Sequence, residues 1–247
     1  MPSSRRVPEL ESLPTRGRPP GQSATEPPVG RGLSPGAAIA RGLTEDEFVR
    51  ARRILMRRDP NLATVIKRVG RCCLPDGRTH DPFAGLVRVI MSQQLSTKAA
   101  ETIFGRVKAL AAEQGGLTPA TVRALEATAL RSAGVSRPKI TYLYDLADHV
   151  SDGRLDFASL DGHTDEDVIA RITAVKGLGR WSAEMFLMFR LNRPDILPVD
   201  DLGIVKGMQK LFGMKRRPKP RTMVRLAEPW RPYRSVACWY LWRILEK

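Results

Sequence analysis

From Thr44 onward, apolar residues recur at helical spacing, and no stretch alternates apolar and polar residues for long. Because a half-buried strand requires that alternation, the pattern predicts an all-α fold with about ten helices. Serine, threonine and proline stand where these helices begin, as is typical of N-caps and first turns. We predict helices over about 44–58, 60–69, 82–94, 96–113, 119 onward, 138–150, 165–174, 180–191, 201–212, 220–228 and 232–246.

Residues 1–41 differ from the rest of the chain. They contain eight of the 19 prolines and have almost no apolar periodicity. Such a segment cannot bury enough apolar surface to offset the entropy of ordering, so we predict a disordered tail followed by a folded domain over 42–247. The tail is arginine-rich, but Glu9, Glu11 and Glu26 argue against an organelle transit peptide.

The chain has a net charge of +15, from 41 Lys and Arg against 26 Asp and Glu. Such an excess favours nucleic acid as partner, with a membrane surface as the alternative. The three cysteines form no metal-binding pattern, so we expect neither a zinc site nor an iron–sulfur cluster. No apolar run is long enough to span a membrane, and no signal peptide is recognisable.

A tight Gly-x-Gly turn joins two predicted helices near residue 178. One helix ends at Val175, and the next begins directly after Gly179. Gly177 and Gly179 permit backbone angles that side chains forbid, and bare amides at a helix N-terminus attract anions. The turn is therefore a candidate anchor for DNA phosphate. The alternative is an ordinary helix connection with glycine for packing.

Two adjacent aspartates, Asp200 and Asp201, lie at the entry to the next predicted helix, about 20 residues downstream. Aspartate is a favoured N-cap, so one of the two is expected to cap that helix. The second carboxylate is then free to face a cleft.

These features resemble the helix-hairpin-helix DNA glycosylase superfamily, and most closely its alkylbase branch, the 3-methyladenine DNA glycosylase II type. The resemblance spans about residues 60–246. The motifs that carry it are the hairpin Val175-Lys-Gly-Leu-Gly179, Gly179-Arg-Trp-Ser-Ala183, Pro198-Val-Asp-Asp201, Trp230-Arg-Pro-Tyr-Arg-Ser-Val-Ala237, and the upstream segment from Asp81 to Ser96. The family fold implies two helical subdomains, with the helix-hairpin-helix motif beside a DNA-binding cleft.

The resemblance implies that Asp201 is the catalytic residue, because the family's aspartate is followed by two residues and then an apolar one, here Ile204. Members that also cut the strand carry a lysine where this chain has Trp181, so the resemblance implies base removal without strand cleavage. Trp181, Trp242 and Met185 would form the base pocket. Met185 replaces an expected aromatic residue, and for either tryptophan the alternative is core packing.

The resemblance also implies the residues that contact DNA. The predicted DNA-binding residues are Gln93, Gln94, Leu95, Lys176, Gly177, Gly179 and Arg180. The loop at residues 93–95 is the candidate wedge that fills the gap left by the flipped base, although a capped helix junction would also explain it. Family members can hold a monovalent cation at the hairpin, and its ligands would be the backbone carbonyls of Thr173, Val175 and Leu178. No other cofactor is expected.

The predicted partner is double-stranded DNA containing a damaged base, and we expect a monomer that binds no membrane. It would act in the cytoplasm of a bacterium or the nucleus of a eukaryote. Two alternatives stay open. One is a glycosylase of the same superfamily acting on oxidised or mismatched bases. The other is a non-catalytic helix-hairpin-helix DNA-binding module, against which Asp201 argues because a phosphate binder gains nothing from that carboxylate.

Overall fold

The computed structural model describes residues 42–74 and 81–246, and this part of the chain is all-helical with no strand, which confirms the predicted fold class. The tail predicted over 1–41 lies outside the described residues. The twelve α-helices are α1 (Glu45–Arg58), α2 (Pro60–Val69), α3 (Pro82–Ser92), α4 (Thr97–Ala112), α5 (Pro119–Ala124), α6 (Ala127–Ser132), α7 (Arg137–Ser151), α8 (Asp165–Thr173), α9 (Arg180–Phe189), α10 (Leu202–Leu211), α11 (Pro220–Leu226) and α12 (Arg234–Arg243).

The predicted caps begin the helices as expected. The hydroxyls of Ser96, Thr118 and Thr164 each accept a hydrogen bond from a backbone N–H in the first turn of α4, α5 and α8. At α1, Glu47 instead reaches back to accept the backbone N–H of Thr44 at 2.9 Å. These bonds satisfy amides that have no partner within the helix, which is why such residues mark helix starts.

Several helices are shorter than predicted, such as α12, which ends at Arg243 and not at residue 246. Helix α6 was not predicted as separate from the helix that begins at 119, because it has only six residues and no side-chain cap at its N-terminus. Helix α3 ends at Ser92 and not at residue 94, since Gln93 is extended and Gln94 adopts φ +59°. Residues 93–95 therefore form a tight turn between α3 and α4, which we call the wedge turn.

The helices pack in two groups. The first and last helices of the folded part lie together, with α12 against α1, α2 and α10. The middle of the chain forms the second group, in which α3 contacts α4, α7 and α9, and α9 contacts α8. Helix α12 is buried along most of its length, from Ser235 to Leu241. Both groups contribute side chains to the site described below.

Candidate active site

The carboxylate of Asp201 is held by three N–H groups from three parts of the chain. Its Oδ1 caps α10 by accepting the backbone N–H of Ile204 at 2.7 Å, and it also accepts the indole Nε1–H of Trp242 at 2.9 Å. Its Oδ2 accepts the indole Nε1–H of Trp181 at 2.8 Å. An ionised carboxylate only accepts hydrogen bonds, so this set of donors fits the charged form. The group is partly exposed at the positive end of α10.

Gly203, which was not among the predicted site residues, makes this arrangement possible. A Cβ at this position would lie 2.6 Å from Cδ1 of Trp242 and 3.0 Å from Oδ1 of Asp201. Any side chain would therefore push the tryptophan away from the carboxylate. The neighbouring Asp200 is exposed, at the turn before α10.

A cleft of about 830 Å³ opens beside Trp181. Its apolar lining includes the predicted Met185 and Leu95, together with Phe189 and Trp239, which the sequence analysis did not select. Four arginines, Arg71, Arg88, Arg190 and Arg243, also line it. Asp201 is not itself among these lining residues, but its Oδ2 accepts from the indole of Trp181, which is. Aromatic faces can receive a planar, electron-poor ring. Phe189 and Trp239 were missed because they look like ordinary core positions of α9 and α12.

Trp242 takes a different place from the one expected of a pocket wall. Its ring stacks on Phe189, with centroids 5.6 Å apart and planes at 21°. It is not among the described side chains that line the cleft, and its polar edge points to Asp201. In this structure Trp242 therefore orients the carboxylate from behind the wall that Phe189 presents to the cleft.

The hairpin connects α8 to α9 over residues 174–179, and its two glycines serve different ends. Gly177 has φ +77°, and a Cβ there would lie 2.2 Å from Cδ2 of Tyr142. Gly179 is the N-cap residue of α9, and a Cβ there would meet nothing within 4 Å. The space above Gly179 leaves the first amides of α9 open to an approaching anion.

The two basic residues of the hairpin are both engaged by carboxylates. The ammonium of Lys176 lies 3.7 Å from Oδ1 of Asp145 and is 69% exposed. The guanidinium of Arg180 makes a two-point ion pair with Glu166, at 2.7 and 3.0 Å, and bonds Glu184 at 3.1 Å. Burial raises the pKa of Glu184 to about 7. Arg180 thus braces α9 against α8, and a phosphate would have to compete with Glu166 for it.

The wedge turn is held to the hairpin by a hydrogen bond. The side-chain Nε2 of Gln93 donates to the backbone carbonyl of Gly177 at 2.8 Å, so this residue faces the hairpin. Gln94 and Leu95 are exposed, and the side chain of Leu95 lies at the rim of the cleft. Of the three residues, Gln94 and Leu95 are the ones positioned to meet DNA.

The hairpin carbonyls fit a monovalent cation by their chemistry. Carbonyl oxygens are hard donors, and the carbonyl of Val175 makes one hydrogen bond, to the backbone N–H of Leu178 at 3.1 Å, which leaves a lone pair. No cluster of three or more metal-ligating side chains occurs in the described residues.

Within 42–74 and 81–246, none of the helices has the length and apolar character needed to cross a membrane.

Residues 87–232, a range that contains the hairpin and Asp201, match the family described as "HhH-GPD superfamily base excision DNA repair protein". The chain belongs to the HhH-GPD superfamily. The abbreviation HhH denotes the helix-hairpin-helix motif, which here is α8, the turn at 174–179 and α9.

Relatives within the HhH-GPD superfamily carry a consistent name. DNA-3-methyladenine glycosylase 1 of Schizosaccharomyces pombe is 35% identical over 164 residues, which is 66% of this chain and 72% of that protein. A solved structure of S. pombe 3-methyladenine DNA glycosylase in complex with abasic DNA has a TM-score of 0.72 at 33% identity, covering 78% of this chain and 95% of that one. The DNA-3-methyladenine glycosidase of Bacillus halodurans has a TM-score of 0.68 at 39% identity, covering 81% and 90%.

Proposed function

We propose that this HhH-GPD protein is a monofunctional DNA glycosylase that removes alkylated purines, such as 3-methyladenine, from duplex DNA. The observation that carries the proposal is the carboxylate of Asp201, held by three N–H groups, one of which belongs to Trp181 in the lining of the aromatic cleft. The names of the relatives, and the likeness to a glycosylase bound to abasic DNA, support the same substrate class.

The proposed chemistry needs one ionised carboxylate. The bond between the sugar C1′ and the base nitrogen breaks, and its electron pair leaves with the purine, which alkylation has already made cationic. Positive charge then develops on the sugar, and Asp201 stabilises it electrostatically. Water adds to C1′ and loses a proton, which leaves an abasic site. Because the three donors fix the carboxylate before the reaction, little reorganisation is needed in the transition state.

The cleft would hold the flipped base. A base inside a duplex is out of reach, so the nucleotide must rotate out at a cost of a few kcal/mol. Trp181, Phe189 and Trp239 present aromatic surface to the cleft, which favours an electron-poor ring. Leu95, at the rim, would fill the space that the base leaves in the helix. The protein would act wherever genomic DNA is kept, the cytoplasm of a bacterium or the nucleus of a eukaryote.

The first test is substitution of the two aspartates. Asp201→Asn should lower the single-turnover rate of 3-methyladenine release by at least about a hundredfold, the scale of losing one charge-stabilising group. The amide cannot accept from both indoles, so one indole bond is also lost. Binding to an abasic-site analogue should nevertheless persist, because the hairpin and the wedge turn are unchanged and the developing charge exists only in the transition state. The matched control is Asp200→Asn, which should keep the wild-type rate. A dead Asp200→Asn beside an active Asp201→Asn would overturn the assignment. The same assay on duplexes carrying oxidised or mismatched bases tests the alternative that the protein removes those bases.

The second test concerns strand cleavage. The product should be an intact abasic strand that breaks only after alkali, because the indole of Trp181 cannot form the Schiff base that cleavage requires. Borohydride should therefore trap no covalent adduct with DNA. Lys176 is the nearest hairpin amine, and its ammonium lies beside Asp145. A trapped adduct that disappears in Lys176→Ala would refute the monofunctional mechanism.

We also propose that the carbonyls of Thr173, Val175 and Leu178 hold a monovalent cation, which would bridge the hairpin to a DNA phosphate. No catalytic step depends on it. Replacing sodium or potassium with a bulky organic cation at equal ionic strength should weaken binding to undamaged DNA. Unchanged affinity would contradict the cation site.

A further inference from the structure

One face of α7 supports both elements that are proposed to meet DNA. Lys139, Tyr142 and Asp145 lie three residues apart, so their side chains project from the same side of the helix. Lys139 reaches the wedge turn, while Tyr142 and Asp145 reach the hairpin. None of the three was among the predicted site residues.

At the wedge turn, Lys139 acts as a cap for α3. Its Nζ donates to the backbone carbonyls of Met91 and Gln93, both at 2.8 Å. Carbonyls at a helix C-terminus have no partner within the helix, and a positive charge is favourable there. Lys139 is partly buried, and this burial lowers its pKa from the ordinary value. An ammonium withdrawn from water for two carbonyls indicates a specific role, unlike an exposed surface lysine.

At the hairpin, the contacts are equally close. Oδ2 of Asp145 accepts the backbone N–H of Lys176 at 2.8 Å. The ring of Tyr142 occupies the space where Gly177 has no side chain. Gln93 links the two elements. Its side-chain Nε2 donates to the backbone carbonyl of Gly177 at 2.8 Å, and its backbone carbonyl accepts a hydrogen bond from Nζ of Lys139.

We propose that this face of α7 joins the wedge turn and the hairpin into one rigid unit, and that Lys139 is the positioning residue that holds the wedge turn against the hairpin. The inference rests on the proposed function, in which the hairpin grips phosphate and the wedge turn enters the duplex. The wedge turn can displace a base only if its position relative to the hairpin, which binds the phosphate, stays fixed. Fixing both on α7 removes that freedom before DNA binds, and binding energy is then not spent on ordering them.

The test is Lys139→Met, which keeps a long apolar stem and removes the ammonium. Affinity for undamaged duplex should stay within about threefold, because the hairpin keeps its contacts to Tyr142 and Asp145. The single-turnover excision rate should fall at least tenfold. A 2-aminopurine placed beside the lesion should lose the fluorescence rise that reports unstacking in the wild type. The matched control is Lys108→Met on α4, an exposed lysine that should behave as wild type.

Two further variants separate positioning from general damage. Lys139→Arg also offers two N–H donors to the carbonyls and should recover much of the unstacking signal. Gln93→Met breaks the other link, so the double variant Lys139→Met, Gln93→Met should lose less than the sum of the single losses in excision rate. If Lys139→Met instead lost rate and affinity for undamaged DNA in equal proportion, the role would be structural only. Wild-type unstacking and excision would refute the proposal directly.

A measurement without DNA keeps the inference distinct from the proposed function. In the free protein, Lys139→Met should speed amide hydrogen exchange at Leu95 and at Lys176 together, while Lys108→Met should change neither. The exchange prediction does not depend on catalysis. If the wild-type protein released no methylated purine, the proposed function would be refuted, but the coupling through Lys139 would still be tested by exchange. If exchange became faster at Leu95 but did not change at Lys176, the wedge turn and the hairpin would not be coupled through Lys139.

Discussion

At the scale of single residues, the side chain of Asp201 combines a structural role with the proposed chemical one. One oxygen caps α10, and both oxygens take indole N–H groups. The sequence could predict the cap, because aspartate before a helix is a common pattern. It could not predict the indole donors as a set, since they lie 20 and 41 residues from Asp201 in the chain. The same limit applies to Arg180, whose partner Glu166 is 14 residues away.

Glu184 provides a prediction at this scale. Its side chain is 8% exposed, and folding raises its pKa from 4.5 to about 7 because burial disfavours the charge. Below about pH 4.5 the group is protonated in both the folded and the unfolded protein, so there is no penalty. Between about pH 4.5 and 7 the unfolded protein loses this proton while the folded protein keeps it, so the stability of the fold decreases across this window and is lowest above about pH 7, where the buried carboxyl is ionised.

Glu184→Gln should therefore stabilise the protein by about 1–3 kcal/mol at pH 8 and have little effect at pH 4.5. Urea unfolding at the two pH values measures the difference. Glu166→Gln is the matched control, because it breaks the other bond to Arg180 at an exposed site and should not stabilise at pH 8. A Glu184→Gln effect that is independent of pH would show that burial does not penalise this charge.

At the scale of elements, helices marked by a capping residue, a proline or clear apolar periodicity were predictable, and the short helix α6 was not. Ser96, Thr118 and Thr164 mark helix starts by a local hydrogen bond that the sequence displays. Helix α6 has only six residues and depends on its packing against α7. The end of α3 was also missed, because the positive φ of Gln94 is set by the wedge turn and not by local propensity.

The hairpin gives a prediction that separates its two glycines. Gly177→Ala should destabilise the fold by about 1–3 kcal/mol, because the new Cβ would overlap the ring of Tyr142 and the positive φ would be strained. Gly179→Ala should fold as wild type, since its φ of −97° suits alanine and the space is open. It should nevertheless weaken binding to damaged and undamaged duplex alike, by about tenfold, because a methyl group blocks the approach of phosphate.

Thermal unfolding and fluorescence anisotropy on both duplexes distinguish the two effects. Tyr142→Ala in the Gly177→Ala background serves as the control, because it removes the ring that the Cβ would strike and should relieve part of the loss. A Gly179→Ala protein with unchanged general affinity but altered lesion preference would contradict the phosphate-anchor interpretation.

At the scale of the whole molecule, the beginning and end of the folded part are joined by one buried hydrogen bond. The indole Nε1–H of Trp230 donates to Oδ2 of Asp59 at 2.7 Å, across 171 residues. Oδ1 of Asp59 meanwhile caps α2 by accepting the backbone N–H of Asn61 and of Leu62. Trp230 is fully buried. The bond therefore ties α1 and α2 to the segment that leads into α12, which also carries Trp242 to the active site.

Trp230→Phe should lower the free energy of unfolding by about 1–3 kcal/mol, because it leaves a buried carboxylate oxygen without its partner. The excision rate per folded molecule should stay near wild type, since Asp201 keeps its own three donors. Urea unfolding and single-turnover kinetics measure the two quantities. Asp59→Asn retains the Oδ1 cap but presents an amide N–H₂ to the indole, so it should break the same bond. The double variant should then lose less stability than the two single losses added together. Full additivity would mean that Trp230 stabilises the fold by packing alone and that the hydrogen bond to Asp59 contributes nothing.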